Sequence, residues 1–269
     1  MPVDVSTPVL RNVDLGHGNH LIEVEAPPAI SRETQPGQFF MIGLPGSEVL
    51  LRRPFSVCGL PGTFDDGAPG AVQVLYRVFG RGTAILASLR AGATIQVLGP
   101  LGRGFTLPDD RDAIPVFVAG GIGSAPFPAL ARALASAGPR PVMLYGARTK
   151  ADLPLLEWFE RSCAEVLVAT DDGSLGREGP VTVALEELFA RPSSRWHLYA
   201  CGPTPMLKAV ARAAIARGVR CDLSLEAPMA CGFGVCLGCV LPCHDGEGGV
   251  RFERCCVEGP VMAAERLAW

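Results

Sequence analysis

Six of the ten cysteines of this 269-residue chain lie in its last forty positions, and three of those stand in the segment MACGFGVCLGC, residues 229–239. Cys231, Cys236 and Cys239 have the spacing C-x4-C-x2-C. That spacing is typical of plant-type [2Fe-2S] centres, in which a fourth cysteine lies further along the chain. The interleaved glycines allow the loop to curl so that backbone N–H groups point at the sulfurs. The segment therefore predicts a [2Fe-2S] cluster site.

Zinc and a redox-active thiol pair are the alternatives to a cluster. A structural zinc site usually combines two short Cys-x2-Cys or His-x3–5-His units, whereas the only later partner of that kind for Cys236 and Cys239 is the adjacent pair Cys255-Cys256. A redox Cys-x-x-Cys normally heads a helix in a βαβ unit, and VCLGC lacks that setting. Cys243 follows Cys239 too closely to be the fourth cluster ligand, so the spacing leaves Cys255 and Cys256 open.

Two glycine-containing strand ends predict a nucleotide site. Gly121 and Gly123 lie in VFVAGGIGSAP, between an apolar strand-like run and a helical segment, and Cys201, Gly202 and Pro203 lie at a similar transition in YACGPTP. Glycine lets a ligand approach the backbone, and a helix N-terminus presents free N–H groups. Either segment alone could be an ordinary tight turn. Together they mark the carboxyl-end edge where open parallel sheets bind ligands.

Two segments near the middle of the N-terminal part carry groups suited to a flavin nucleotide. LLRRPFSVCG contains Arg53 and Ser56, a guanidinium fork and a hydroxyl that could clamp a pyrophosphate. LYRVFGRGT contains Tyr76, whose ring could stack on a flat heterocycle, and the turn Gly82-Thr83. A solvated arginine pair on an edge strand and a core tyrosine are the structural alternatives.

The elements that must position these residues fall into three predicted domains. Residues 1–107 show short alternating runs and frequent turn signals, which predict an antiparallel β-barrel. Residues 108–221 alternate apolar strands with amphipathic helices, which predict a parallel α/β nucleotide-binding domain. Residues 222–269 form the small cysteine-rich segment. The predicted fold class is therefore β plus α/β, with an appended [2Fe-2S] segment.

Composition excludes several functional classes. The formal net charge of −3 gives no reason to expect nucleic acid or an anionic membrane as a partner. The sequence has no run of 18 apolar residues and no signal-peptide pattern, so we expect a cytoplasmic location. No nucleophile or acid–base pair stands out, and no catalytic side chain is predicted.

The four remaining cysteines are expected to be small buried hydrophobes: Cys58, Cys163, Cys201 and Cys221.

In their order along the chain, these motifs resemble the ferredoxin–NADP reductase superfamily. The segments SLEAPMACGFGVCLGC and CVEGPVM narrow the resemblance to electron-transfer subunits of NAD-dependent (class 1B) dihydroorotate dehydrogenases, over nearly the whole chain. The resemblance implies FAD, a [2Fe-2S] cluster and NAD as electron acceptor. The family has one cysteine before xxGPV, which implies Cys256 as the fourth ligand beside Cys231, Cys236 and Cys239. It places the FAD contacts on Arg53, Pro54, Phe55, Ser56, Leu75, Tyr76, Arg77, Gly82 and Thr83.

In this family a partner subunit carries FMN and oxidises dihydroorotate to orotate. The resemblance implies that electrons pass from that FMN through the cluster and FAD to NAD⁺, in pyrimidine (UMP) biosynthesis, within a heterotetramer of two copies of each chain. Ala227 and Pro228 stand where the family often has a charged residue, so partner contacts near the cluster could differ.

Two other functions are alternatives. The first is a reductase subunit of a hydrogenase or transhydrogenase complex; transhydrogenase relatives can have aspartate in place of Cys231 as the first cluster ligand. The second is a non-catalytic metal-binding redox sensor or docking module, which would bind no flavin. The acidic TDDGS, residues 170–174, would repel the 2′-phosphate of NADP if it faced the nucleotide.

Overall fold

The computed structural model of the chain describes residues 1–135, 138–191 and 195–269. Its N-terminal part is an antiparallel sheet of six strands, in the spatial order β4-β3-β6-β1-β2-β5. Two helices, α1 (Pro28–Ser31) and α2 (Arg81–Ser88), connect strands of this sheet. The strands are β1 (Val3–Asp14), β2 (Asn19–Glu25), β3 (Phe39–Gly43), β4 (Arg53–Ser56), β5 (Ala71–Arg77) and β6 (Thr94–Leu101).

The six-stranded sheet curls until its two edge strands approach each other. The chain just beyond β4 bonds to β5, since the N–H of Cys58 donates to the carbonyl of Gln73 at 2.9 Å and Gly59 bridges the same residue. Alternate side chains fill the interior, where Ile22 and Ile95 are fully buried. The alternating runs of the sequence thus form the predicted barrel, because every second side chain points inward.

The second part is a parallel sheet with the order β10-β9-β8-β7-β11-β12. Its strands are nearly continuous apolar runs, as in β7, because helices cover both faces. Its helices are α3 (Phe127–Leu134), α4 (Leu156–Ser162), α5 (Thr182–Phe189) and α6 (Thr204–Ile215). Its strands are β7 (Ile114–Gly120), β8 (Val142–Ala147), β9 (Glu165–Thr170), β10 (Arg177–Glu178), β11 (Trp196–Cys201) and β12 (Arg220–Ser224). The predicted fold class is confirmed.

The C-terminal cysteine-rich segment is tied to the parallel sheet. A hairpin of β13 (Val240–His244) and β14 (Val250–Arg254) is followed by β15 (Val261–Ala263), which pairs antiparallel with β12. Strand β12 itself runs across the predicted boundary between residues 221 and 222. The segment therefore leaves the sheet edge after β12 and returns to it at β15.

An apolar interface joins the barrel to the parallel sheet. Phe64 of the barrel packs against Trp158 of α4 with ring centroids 5.6 Å apart, and Leu21, Cys58 and Ala125 are buried in the same cluster. The four scattered cysteines are all buried, as predicted, and burial raises the pKa of Cys163 to about 12. Within the described ranges, no helix combines the length and apolar character needed to cross a lipid bilayer.

Candidate functional site: an interdomain cavity beside a cysteine loop

The main cavity lies where the barrel, the parallel sheet and the C-terminal segment meet. It encloses about 530 Å³, a size typical of cofactor sites. Nine of the predicted cofactor residues line it: Pro54, Phe55, Ser56, Leu75, Tyr76, Arg77, Thr83, Gly123 and Cys201. The lining also includes residues that the sequence interpretation did not single out as contacts: Phe39, Phe79, Ile122, Ala125, Thr204, Leu225, Glu226, Ala227, Pro228, Met229 and Pro260.

Arg53 and Gly82 lie outside the cavity lining and contact each other at the start of α2. The guanidinium of Arg53 donates to the carbonyl of Leu51. A Cβ added to Gly82 would lie 2.9 Å from Nε of Arg53, so a side chain there would displace the guanidinium. The two predicted flavin motifs therefore meet at the Arg53–Gly82 contact. The N-terminus of α2 joins this contact to Thr83, which forms part of the cavity wall.

The ring of Tyr76 packs in the barrel core, as expected for the core tyrosine that was the alternative to stacking on a heterocycle. It stacks on His20 with centroids 5.4 Å apart, and its hydroxyl donates to Oδ1 of Asn12 at 3.1 Å. Burial raises the pKa of Tyr76 to about 12, although the Asn12 hydrogen bond works in the opposite direction. Tyr76 thus contributes to the wall as a packed residue, with one face of its ring covered by His20.

Thr83 and Phe79 form the rim of the cavity next to α2. The Thr83 hydroxyl accepts hydrogen bonds from the N–H groups of Phe79, at 2.9 Å, and Gly80, at 3.1 Å. This side chain therefore fixes the turn that begins the helix. The Phe79 ring is 81% exposed at the rim and lies 5.9 Å from the guanidinium carbon of Arg77.

Close backbone contacts bring the two predicted strand ends together. A Cβ on Gly123 would lie 2.3 Å from the carbonyl oxygen of Cys201, and one on Gly202 would lie 3.0 Å from the nitrogen of Gly120. These glycines are required because the turns after β7 and β11 touch backbone to backbone. Gly121, Gly202 and Pro203 support the turns without lining the cavity, whereas Gly123 and Cys201 face it.

The cavity wall formed by residues 225–229 was missed as a contact region. The signal was present, because these residues open the most specific motif of the chain, SLEAPMACG. Glu226 keeps an accessible surface toward the cavity, yet the enclosing walls raise the pKa of its carboxyl through desolvation. Ala227 and Pro228 also face the cavity.

The cysteine loop directly follows this wall. The N–H of Cys236 approaches Sγ of Cys231 at 3.5 Å. Desolvation opposes ionisation of Cys231, but hydrogen bonds from the backbone N–H groups of Cys236, Phe233 and Val235 lower its pKa to about 6. Such N–H donors stabilise a thiolate, the form that binds iron. The loop therefore has the backbone donors that a cluster site needs.

Two glycines of the loop allow it to pack closely, one of them against the barrel. Gly232 adopts φ +80°, and a Cβ there would lie 2.4 Å from Cγ of Met41 on β3. Gly234 adopts φ +90°, and a Cβ there would lie 2.6 Å from Cγ2 of Val257. Both positions need the left-handed conformation and the absence of a side chain.

The three cysteines that follow Cys239 have different neighbours. The Cys256 thiol faces Cys239 and Cys231; desolvation first, and then these neighbouring thiols, raise its pKa to about 12. The Cys255 thiol lies 3.6 Å from the carbonyl of Leu225, and desolvation first, and then Cys239 and Cys256, raise its pKa to about 12. Cys243 is buried with its sulfur 4.0 Å from that of Met262. Cys256 therefore fits the cysteine loop best.

Three of the four predicted ligand thiols are neighbours, since Cys239 and Cys231 both act on the pKa of Cys256. Within the ranges that the structure describes, no three His, Cys, Asp or Glu side chains converge closely enough to hold one metal ion. A [2Fe-2S] cluster distributes four thiolates over two metals. The arrangement around the loop thus fits the predicted group.

A barrel-like sheet, a parallel α/β sheet and a cavity between them define a ferredoxin reductase-like oxidoreductase with an appended iron–sulfur segment. The family described as "Iron-sulfur cluster binding domain of dihydroorotate dehydrogenase B" matches residues 226–268. The family described as "Oxidoreductase NAD-binding domain" matches residues 117–212.

Individual relatives make the assignment more specific. The chain is 43% identical over 234 residues to the dihydroorotate dehydrogenase B (NAD(+)) electron transfer subunit of Geobacillus kaustophilus, covering 86% of this chain and 85% of that protein. It is 34% identical to the homologous subunit of Aquifex aeolicus, over 99% of both chains. The chain belongs to the family of dihydroorotate dehydrogenase B electron transfer subunits.

A solved structure has the same fold over nearly the entire chain. It is described as an NADH-dependent reduced ferredoxin–NADP oxidoreductase studied for flavin-based electron bifurcation. The TM-score is 0.82 at 32% identity, covering 98% of this chain and 90% of that one. Together with the family matches, this confirms the predicted cofactor set of FAD, a [2Fe-2S] cluster and NAD.

Proposed function

We propose that the chain carries electrons from a dihydroorotate-oxidising partner subunit to NAD⁺, through a [2Fe-2S] cluster held by Cys231, Cys236, Cys239 and Cys256 and through FAD in the interdomain cavity. One observation carries the proposal: the cavity wall continues without interruption into the cluster loop. Met229 lines the cavity, and Cys231 follows two positions later. The two cofactor sites therefore share one short segment of chain.

Protein groups set position and electrostatics, while the cofactors supply the redox chemistry. When bound, FAD exchanges a hydride with the nicotinamide and single electrons with the cluster. Arg53, Ser56 and the turn Gly82-Thr83 would hold FAD from the barrel side. Gly121, Gly123 and the turn of Cys201, Gly202 and Pro203 would admit the nicotinamide nucleotide, because they lie at the carboxyl ends of the neighbouring parallel strands β7 and β11, where open α/β sheets bind ligands.

The cluster loop offers an apolar surface to a partner. Phe233, Val235 and Leu237 are 52%, 74% and 60% exposed around the cysteines. Monomeric proteins rarely expose such clustered apolar side chains, and larger patches mark interaction sites. We infer that the catalytic subunit docks here, that it carries FMN, and that the complex contains two copies of each chain in the cytoplasm. We also propose the domain limits 1–107, 108–221 and 222–269 from the change of strand and helix pattern along the chain, with β12 crossing the last of them.

A second candidate is an electron-transfer subunit of a ferredoxin–NADP transhydrogenase complex. The observation that favours it is the likeness to the bifurcating oxidoreductase over 98% of the chain. Cys231 favours the first proposal, since the family of the alternative can use aspartate as the first cluster ligand. The interdomain cavity, with walls from the barrel, the parallel sheet and the C-terminal segment, disfavours a non-catalytic sensor.

The test is an anaerobic titration of the chain co-expressed with the dihydroorotate-oxidising subunit of the same source. Visible spectra are recorded after adding dihydroorotate and again after adding NAD⁺. We expect dihydroorotate to bleach the flavin and cluster bands and NAD⁺ to restore them. Bleaching by NADH but not by dihydroorotate would contradict the proposed partner and support the transhydrogenase alternative. Absence of flavin bands from the purified complex would contradict both.

A further inference from the structure

A salt bridge crosses from the barrel to the parallel sheet at the cavity wall. Arg77 is the last residue of β5, and Asp152 ends the short 3-10 turn Lys150–Asp152 that follows β8. Nη1 of Arg77 lies 2.8 Å from Oδ1 of Asp152. Both side chains are largely withdrawn from solvent, with 23% and 11% of their surfaces exposed. This pair is therefore better shielded than the ion pairs of the protein surface.

The carboxylate is fixed by the nucleotide-side loop that carries it. Its second oxygen, Oδ2, lies 3.4 Å from the hydroxyl of Thr149 and 3.6 Å from Nε of Arg148. The backbone carbonyl of Asp152 lies 3.6 Å from the place where a Cβ of Gly121 would be. The position of the carboxylate thus depends on the turns after β7 and β8, which belong to the parallel sheet.

Arg77 is the only cationic side chain among the described residues that line the cavity. FAD carries an anionic pyrophosphate, for which a guanidinium fork is a matching donor. A free arginine side chain samples many rotamers, and ordering it on binding costs conformational entropy. A partner that holds the guanidinium in place beforehand removes part of that cost.

We propose that Asp152 is a positioning residue that holds the guanidinium of Arg77 at the flavin cavity from across the domain interface. This inference rests on the proposed function, because it takes the cavity as the FAD site. Its consequence is that retention of FAD by the barrel depends on a carboxylate of the NAD-binding domain. Asp152 acts on the flavin only through Arg77.

The test compares FAD release from the full-length chain and its variants. The purified, flavin-loaded protein is diluted, and the rise in flavin fluorescence gives the release rate. We expect Arg77→Ala and Asp152→Ala each to speed release about tenfold, and the double variant to release no faster than Arg77→Ala alone. Asp152→Asn keeps the shape and an acceptor, so its effect should be smaller. Iron content is measured in every sample.

The matched control is Glu186→Ala, which removes the carboxylate of a surface pair that Arg217 forms at the same 2.8 Å. Equal release rates for Asp152→Ala and Glu186→Ala would overturn the inference, as would additive effects in the double variant. If Asp152→Ala lost iron as well as FAD, Asp152→Asn would be the deciding variant. An FAD release rate equal to that of the unmodified chain, with normal iron content, would again overturn the inference. A wild-type chain without FAD would overturn the proposed function first, and this inference with it.

Discussion

The cluster loop and the flavin cavity lie side by side but are built in opposite ways. Three of the four cluster thiols come from nine consecutive residues, Cys231 to Cys239, on an exposed glycine-rich loop. The cavity wall draws on side chains from Phe39 to Pro260, contributed by the barrel, the parallel sheet and the C-terminal segment. Loss of one ligand can abolish cluster binding by a local loop, whereas a cavity wall built from many segments tolerates the loss of one residue. The two regions should therefore be separable by mutation.

The largest expected effect is at the cluster. Cys236→Ser should abolish cluster absorption and reduce iron content to background, because it replaces one of the four predicted thiolate ligands with a hydroxyl, a harder and weaker ligand for the iron of a cluster. FAD should be retained, since Cys236 does not line the cavity. Iron analysis and the flavin spectrum of the same sample measure both outcomes. Loss of flavin together with iron would show that the loop also supports the cavity wall, and the two regions would then form one unit.

The next comparison separates adjacent cysteines. Cys256→Ala should lose the cluster, because its thiol faces Cys239 and Cys231, whereas Cys255→Ala should keep it. The Cys255 thiol instead lies near the carbonyl of Leu225. Electron paramagnetic resonance of the reduced proteins distinguishes the variants. A normal signal in Cys256→Ala, with none in Cys255→Ala, would reverse the ligand assignment.

A smaller effect is expected where the loop rests on the barrel. Gly232→Ala introduces a Cβ 2.4 Å from Met41 in a left-handed position, so overpacking adds to backbone strain. Gly246→Ala is the matched control, since Gly246 has φ +87° but no atom within 4 Å of the added Cβ. We expect Gly232→Ala to cost about 1–3 kcal/mol more than the control. The denaturant dependence of cluster absorbance measures this difference, and equal midpoints would show that the loop does not depend on the barrel contact.

The smallest effect should come from an ion pair that belongs to neither region. Arg191 donates to Glu165 at 2.6 and 2.9 Å, and this hydrogen bonding lowers the pKa of Glu165. A carboxyl with a lowered pKa stabilises the fold above its unfolded-state pKa, and the gain is lost as pH falls through the folded-state value. Because the pair is over one-third exposed, Glu165→Gln should cost at most about 0.5 kcal/mol at neutral pH.

Thermal midpoints of Glu165→Gln and the unmodified chain should converge as the pH falls below the folded-state pKa of Glu165. Flavin and iron contents should match in both proteins. A difference that persists at low pH would assign the effect to packing instead of charge.

The sequence by itself determined the features that depend on neighbours in the chain. The spacing of Cys231, Cys236 and Cys239 predicted the cluster site because the ligands of one loop are close whatever the fold does. Strand and helix periods predicted the barrel and the parallel sheet for the same reason, since those periods express which side of a local element is buried.

Only the tertiary structure decided how distant groups are used. It turned the ring of Tyr76 onto His20, paired Arg77 with Asp152 across the interface, and directed Cys256 toward the loop while Cys255 points to Leu225. None of these choices is encoded in local spacing, because each depends on which surfaces meet when separate domains pack. Cys255 and Cys256 have different neighbours because successive side chains at a turn project in different directions.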